Sequence, residues 1–107
     1  KYSALGVEVH ITECAIRNFY NTESALKKHK EFYVKFVKQI EELNSGSTPK
    51  ITNFSIWGLT DLPSTVTDSN YSYTMNGPYA GLYTSLNESF TYTKKDVYYA
   101  ILEELNN

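Results

Sequence analysis

Along the chain the spacing of apolar positions changes several times, and each change marks an element. Val7, Val9 and Ile11 are β-branched and alternate with Glu8, His10 and Thr12, behind Gly6. Successive side chains of a strand point to opposite faces, so this period of two predicts a β-strand over residues 7–13. From Ser24 to Leu43 the period becomes helical. Leu26, Tyr33, Phe36, Val37, Ile40 and Leu43 recur at three, four and seven with lysines and glutamates between them, which predicts one long amphipathic helix. Asn21, Thr22 and Ser24 are candidate N-caps, Glu23 lies near the positive end of the helix dipole, and "NSGSTP" at 44–49 supplies the Gly and Pro that stop a helix. His29 falls on the lysine-rich side of this pattern and is expected to be solvated.

"ITNFSIWGL", Ile51 to Leu59, returns to β-branched and aromatic residues and reads as a second strand, covered on both faces. Residues 60–93 keep no period. They are rich in Ser, Thr, Asn and Gly and carry Pro63, Pro78, Tyr71, Tyr73, Tyr79 and Tyr83; a loop of this length in a compact domain is usually functional. "KKDVYYAILEEL" closes the chain with Val97, Ile101, Leu102 and Leu105 at helical spacing. The predicted order is strand, helix, strand, long loop, helix. Two strands joined by a helix imply a right-handed βαβ unit with parallel strands, hence an α/β fold. Two parallel strands alone leave two unpaired edges and bury little, so the unit is expected to be incomplete on its own.

Composition narrows the partners. The chain has 107 residues, 41% hydrophobic and 21% charged, the balance of one globular domain. Ten Lys and Arg against twelve Asp and Glu leave a net charge of −2, with no basic footprint for a phosphate backbone, so nucleic acid is not an expected partner. No apolar run reaches the ~18 residues of a membrane helix, and "KYSALGVEV" is not a signal peptide. Cys14 is the single cysteine; it makes no intrachain disulfide and no multi-cysteine metal site, and a small buried thiol is its expected state. Neither a metal nor a cofactor is expected, since no zinc spacing, phosphate loop or Ser-His-Asp signature is present. Ten tyrosines, five phenylalanines and one tryptophan suit a packed core and also flat platforms for sugar rings.

Candidate chemistry centres on Glu13. It follows the first apolar run at what should be the carboxyl end of a parallel strand, where α/β proteins gather ligands and catalytic side chains. A carboxylate there acts as nucleophile, base or metal ligand, or else pairs with a basic side chain at a strand end.

"LGVEVHITE", Leu5 to Glu13, resembles the segment of glycoside hydrolase family 10 endo-β-1,4-xylanases that ends in the catalytic nucleophile, usually worded Leu-Gly-hydrophobic-x-Val-x-Ile-Thr-Glu-Leu-Asp. "ITNFSIWGLTD", Ile51 to Asp61, looks like the eighth strand of that family with its Trp-Gly-x-x-Asp ending. "YYAILEEL", Tyr98 to Leu105, is similar to the closing helix of the family. The resemblance implies that residues 1–107 are the carboxyl-terminal segment of a catalytic (β/α)₈ TIM barrel, its strands 7 and 8 with their helices, out of a barrel of ~250 residues. It implies hydrolysis of xylan or xylo-oligosaccharide with retention, by double displacement between two carboxylates roughly 5–5.5 Å apart. Glu13 matches the nucleophile.

In the family the acid/base carboxylate belongs to an Asn-Glu pair at the end of the fourth strand. No Asn-Glu here fills that role; Asn87-Glu88 lies in the late loop and reads as a surface pair. The implied partner is therefore an amino-terminal barrel segment carrying the acid/base Glu, without which this chain is expected to be inactive. Trp57 matches the tryptophan that floors the sugar site, and His10, sharing its alternation with Thr12, either neighbours that site or is a wall histidine. Two departures stand out: "TECAI" replaces "TELDV" beside the nucleophile, and the loop after Asp61 lacks the Ser-Trp-Arg-like wording. Tyr71, Tyr73 or Tyr79 are candidate sugar platforms in its place. A polymeric substrate implies an extracellular or cell-envelope location. Two other readings of the same residues are a non-catalytic xylan-binding remnant and a βα piece that associates with copies of itself through open strand edges.

Overall fold

The computed structural model describes residues 6–46, 50–61, 77–84 and 91–107. Strand β1 (Val9–Cys14) is followed by helix α1 (Glu23–Leu43), strand β2 (Ile51–Ile56) and helix α2 (Asp96–Leu105). The two strands pair in parallel, with α1 as the crossover between them.

Both ends of α1 are held by short polar side chains. At its start Thr22 is extended and its hydroxyl accepts the Ala25 N–H at 3.2 Å, with Glu23 in the first turn. At its end Asn44 does two jobs. Its backbone N–H closes on the Ile40 carbonyl at 3.0 Å, while its side-chain Oδ1 accepts from the N–H groups of Lys50 and Ile51 and its Nδ2 donates to the Ile51 carbonyl. One side chain thus ends the helix and sets where β2 begins.

The core lies between the sheet and the helices. Tyr33 and Val37 of α1 meet Val97 and Ile101 of α2 and Leu82 from the long connection; Cys14, Phe54 and Ile56 pack onto them from the strands, and Ile16 from just past β1. Phe36 adds an edge contact to Phe54, with ring centroids 6.0 Å apart. The opposite face of the sheet is open: His10, Thr12 and Glu13 of β1 and Thr52, Asn53 and Ser55 of β2 are all exposed. β2 is therefore covered on one face rather than two, because among the described residues α1 and α2 supply a single layer. It is also shorter than its apolar run suggests, ending at Ile56.

His29 corrects the expectation drawn from its lysine neighbours. It is only 2% exposed, and its Nε2 lies 2.8 Å from the Ile16 carbonyl oxygen, which makes Nε2 the protonated nitrogen. Position 29 is three residues after Leu26 and four before Tyr33, so it falls on the buried stripe while Lys27, Lys28 and Lys30 flank it. Its ring meets that of Tyr33 edge-on at 5.2 Å. Burial lowers the pKa of His29, and nearby Lys95 pushes the same way; the Ile16 hydrogen bond and Asp61 oppose the shift.

The native ring thus resists a proton that the unfolded chain takes up below its ordinary value near 6.5. Stability should be complete above that value and decline as the pH falls below it, since the unfolded state then binds more protons. Urea midpoints at pH 7.5 and 5.5 should diverge for the wild type and converge for His29→Gln. An equal drop in both proteins would assign the acid sensitivity to other groups.

Candidate active site

The strands do not pair in simple register, and the irregularity bears directly on Glu13. Val9 faces Ile51, His10 faces Asn53, Ile11 faces Phe54 and Cys14 faces Ile56. β2 carries one extra residue between the first two pairs, and β1 carries one between the last two. The two slips cancel, so the strands enter and leave in step. Within β1, Val9 and Ile11 are half-buried while His10 and Thr12 are exposed, and strict alternation would make residue 13 half-buried as well. The extra residue breaks the alternation: Thr12 and Glu13 are both exposed, and Cys14 takes the inward place. A bulge of this kind re-aims a side chain at a strand end.

Trp57 stands beside it. Its backbone N–H donates to the Cys14 carbonyl at 2.8 Å, so it continues the pairing one residue past β2 and sits level with the end of β1. The residue is 61% exposed. Gly58 follows at φ +83°, a conformation that glycine alone adopts without strain, and turns the chain away. Among the described residues the Glu13 carboxylate has no hydrogen bond or ion pair. Cys14 next to it is half-buried, and burial pushes its thiol pKa up, away from a reactive thiolate.

His10 shares the open face but lies three residues earlier, about 10 Å down the strand by its rise per residue. Its Nε2 is 3.5 Å from Glu8, whose carboxylate also receives Thr52 Oγ1 at 3.4 Å. The structure thus brings Glu13 and Trp57 together and leaves His10 lower on the same face. Tyr71 and Tyr73 lie outside the described residues, as does Asn87-Glu88. Tyr79 is described and half-buried.

Above the strand ends lies a polar network that periodicity and motif do not announce. Asp61 Oδ1 accepts from Lys95 Nζ and from the Gly81 N–H, both at 2.9 Å, and Lys95 Nζ also reaches the Tyr79 carbonyl at 3.1 Å. The Asp61 and Lys95 side chains are only 11% and 13% exposed. Asn18, buried past the end of β1, donates Nδ2 to the same Tyr79 carbonyl at 3.2 Å and accepts the Tyr79 N–H on its own backbone carbonyl at 3.1 Å. Asp61 closes the "WGLTD" motif and Lys95 the "TKK" run, so two of these residues stand at the ends of recognisable segments. Nothing local marks Asn18, whose partner is 61 positions away.

A cleft of ≈ 420 Å³ opens elsewhere, between the amino ends of the helices, where Glu23, Leu26, His29, Lys95 and Asp96 line it. Neither Glu13 nor Trp57 lines it. Among the described residues no three metal-ligating side chains cluster.

Adjacent parallel strands, each followed by a helix and ending in polar side chains at its carboxyl end, define the α/β class whose binding groups gather at that end. The description glycosyl hydrolase family 10 matches residues 1–104, and the chain belongs to that family. No curated protein and no solved structure matches it. Membership implies a glycoside hydrolase of the xylanase type with a xylan-type substrate, and the two βα units are consistent with part of its barrel.

Proposed function

We propose that this chain is the carboxyl-terminal portion of a retaining endo-β-1,4-xylanase, supplying strands 7 and 8 of the barrel as β1 and β2. One observation carries the reading: Glu13 and Trp57 are both exposed at the carboxyl ends of adjacent parallel strands, where the Trp57 N–H donates to the carbonyl of Cys14, the residue after Glu13. In a closed barrel the carboxyl end of the strands is the substrate rim.

Glu13 acts as the nucleophile, attacking the anomeric carbon to form a glycosyl-enzyme as the bond to the leaving oxygen breaks. A second carboxylate, from the segment that completes the barrel, protonates that oxygen and then deprotonates the water that releases the sugar. Trp57 offers the apolar face of a xylose ring a flat surface, and its exposure leaves that surface available. His10, lower on the face, contributes polar lining. A polymeric substrate supports an extracellular or cell-envelope location, since xylan cannot enter a cell.

The test is to assemble the chain with a segment supplying the other six strands and to follow the anomeric configuration of sugar released from xylan. Release of the β-anomer first supports double displacement; initial release of the α-anomer would overturn it. An exposed Glu13 with no partner among the described residues favours one second reading, a non-catalytic remnant that holds xylan through Trp57. Retention of the assembly on a xylan gel without sugar release would select that reading.

A further inference from the structure

Past Glu13 the chain continues through residues 14–18, and every second carbonyl of this exit segment is held by a different part of the fold. The Cys14 carbonyl accepts the Trp57 N–H at 2.8 Å, one residue beyond β2. The Ile16 carbonyl takes a hydrogen from His29 Nε2 of α1, also at 2.8 Å. The Asn18 carbonyl accepts the Tyr79 N–H at 3.1 Å. Tyr79 belongs to a strap, residues 77–83, which is itself bound to the exit of β2: the Leu82 and Tyr83 N–H groups donate to the Leu59 carbonyl, and the Asp61 N–H donates to the Tyr83 carbonyl.

These anchors matter because little else fixes Glu13. The pairing slips between Ile11 and Cys14, so no regular ladder runs through residues 12 and 13, and among the described residues the carboxylate has no partner of its own. The backbone at Glu13 is set from its two sides, by Ile11 opposite Phe54 and by the anchored exit segment. Two of the three carbonyl anchors lead back to β2, and the third leads to α1. His29 is the one side chain among the three donors. Its residue is 2% exposed, and its ring is packed edge-on at 5.2 Å against that of Tyr33, which is fully buried. A donor locked by core packing holds its acceptor in one place, which is what a reacting group aimed to within a fraction of an ångström requires.

We infer that His29 is a positioning residue for Glu13: its Nε2–H holds the Ile16 carbonyl and thereby fixes the backbone that aims the carboxylate, without touching substrate. The inference rests on the reading of Glu13 as nucleophile and adds to it a residue of the helix layer.

The experiment uses the chain assembled with its barrel-completing segment and treated with a 2,4-dinitrophenyl 2-deoxy-2-fluoro-β-xylobioside. Glu13 attacks the anomeric carbon as the bond to dinitrophenolate breaks, and this leaving group departs with its electron pair and needs no proton. The label therefore reads the nucleophile's step alone, as mass added to the peptide that contains Glu13. His29→Met, which fills the space and donates nothing, should slow the saturated labelling rate about ten- to a hundredfold, the cost of a misplacement near 1 Å. The reagent concentration giving half that rate should stay within about twofold, since sugar binding is untouched. His29→Gln, whose amide can donate from the place of Nε2, should label within about threefold of wild type. An ester in place of the Ile16–Arg17 peptide bond weakens the Ile16 carbonyl as an acceptor and leaves every side chain as it is. It should slow labelling about two- to fivefold beside His29 and not at all beside Met at that position.

A residue that served stability alone would lower the fraction of protein labelled and leave the rate of the labelled fraction unchanged. A wild-type rate in His29→Met would thus overturn the inference, and so would a His29→Gln as slow as His29→Met, because packing rather than the hydrogen bond would then be responsible. Where His29→Met fails to assemble, the ester decides: labelling at the wild-type rate overturns the inference. Wild-type protein labelled on a residue other than Glu13 sinks the nucleophile reading and the inference with it, whereas labelled Glu13 with a rate indifferent to position 29 sinks the inference alone.

Discussion

Glu13→Gln, in the chain assembled with the rest of its barrel, is expected to lower kcat on xylan by at least about a thousandfold while changing KM only a few-fold. The amide has nearly the size and shape of the carboxylate, so the strand end, the Trp57 surface and the sugar contacts persist. It lacks the anionic oxygen that forms the bond to the anomeric carbon, and that interaction exists only along the reaction path. Loss in kcat at nearly constant KM is the signature of an interaction specific to the transition state.

A companion variant separates nucleophile from acid/base. In Glu13→Ala the vacated space admits azide, which attacks the anomeric carbon from the same face and yields an α-xylosyl azide from the β-linked substrate. A β-azide would move Glu13 to the acid/base role, and unchanged turnover in Glu13→Gln would remove it from the chemistry altogether.

Lys95→Met is expected to be the most destabilising exchange in the polar network, costing about 3–5 kcal/mol, because it strands a buried carboxylate. Asp61 would keep the Gly81 N–H and lose its cation at 2.9 Å. Methionine retains most of the apolar stem, so the cost reports on charge rather than on packing. The pair is worth far less than its disruption: the double variant Asp61→Asn, Lys95→Met keeps an acceptor for Gly81 and buries no charge, and it should recover much of the loss. Urea unfolding of the three proteins measures this. A Lys95→Met midpoint close to wild type would mean that water reaches Asp61 and replaces the ammonium.

The contacts behind these effects differ in kind. Glu13 and Trp57 act where a strand ends, and the strap acts where two loops meet. The α1–α2 junction adds a third, at the far end of the helices. There Glu104 lies 3.9 Å from Lys38 and neighbours Glu41. Desolvation and this acidic neighbour raise the Glu41 pKa.

The element order was legible in the chain because each element announces itself locally. Alternating β-branched residues require a strand, the three-four repeat of Leu26, Tyr33, Val37 and Ile40 requires a helix, and Thr22 can cap only a helix that starts directly after it. Glu13 at the end of an apolar run was equally readable, since a carboxylate beside a buried strand needs a reason. The local pattern could not carry any feature set by a partner far along the chain. His29 looked solvated from its lysine neighbours, yet the Ile16 carbonyl and the Tyr33 ring receive it in the core. Strict alternation would have given Glu13 the half-buried environment of Val9 and Ile11, yet it is exposed, next to the register slip between Ile11 and Cys14. Asn18 carries no signature at all, because its role is defined by a backbone carbonyl 61 residues away. Periodicity encodes which face of an element is apolar; pairing register and side-chain contacts to distant backbone depend on how the faces meet, and tertiary structure alone decides that.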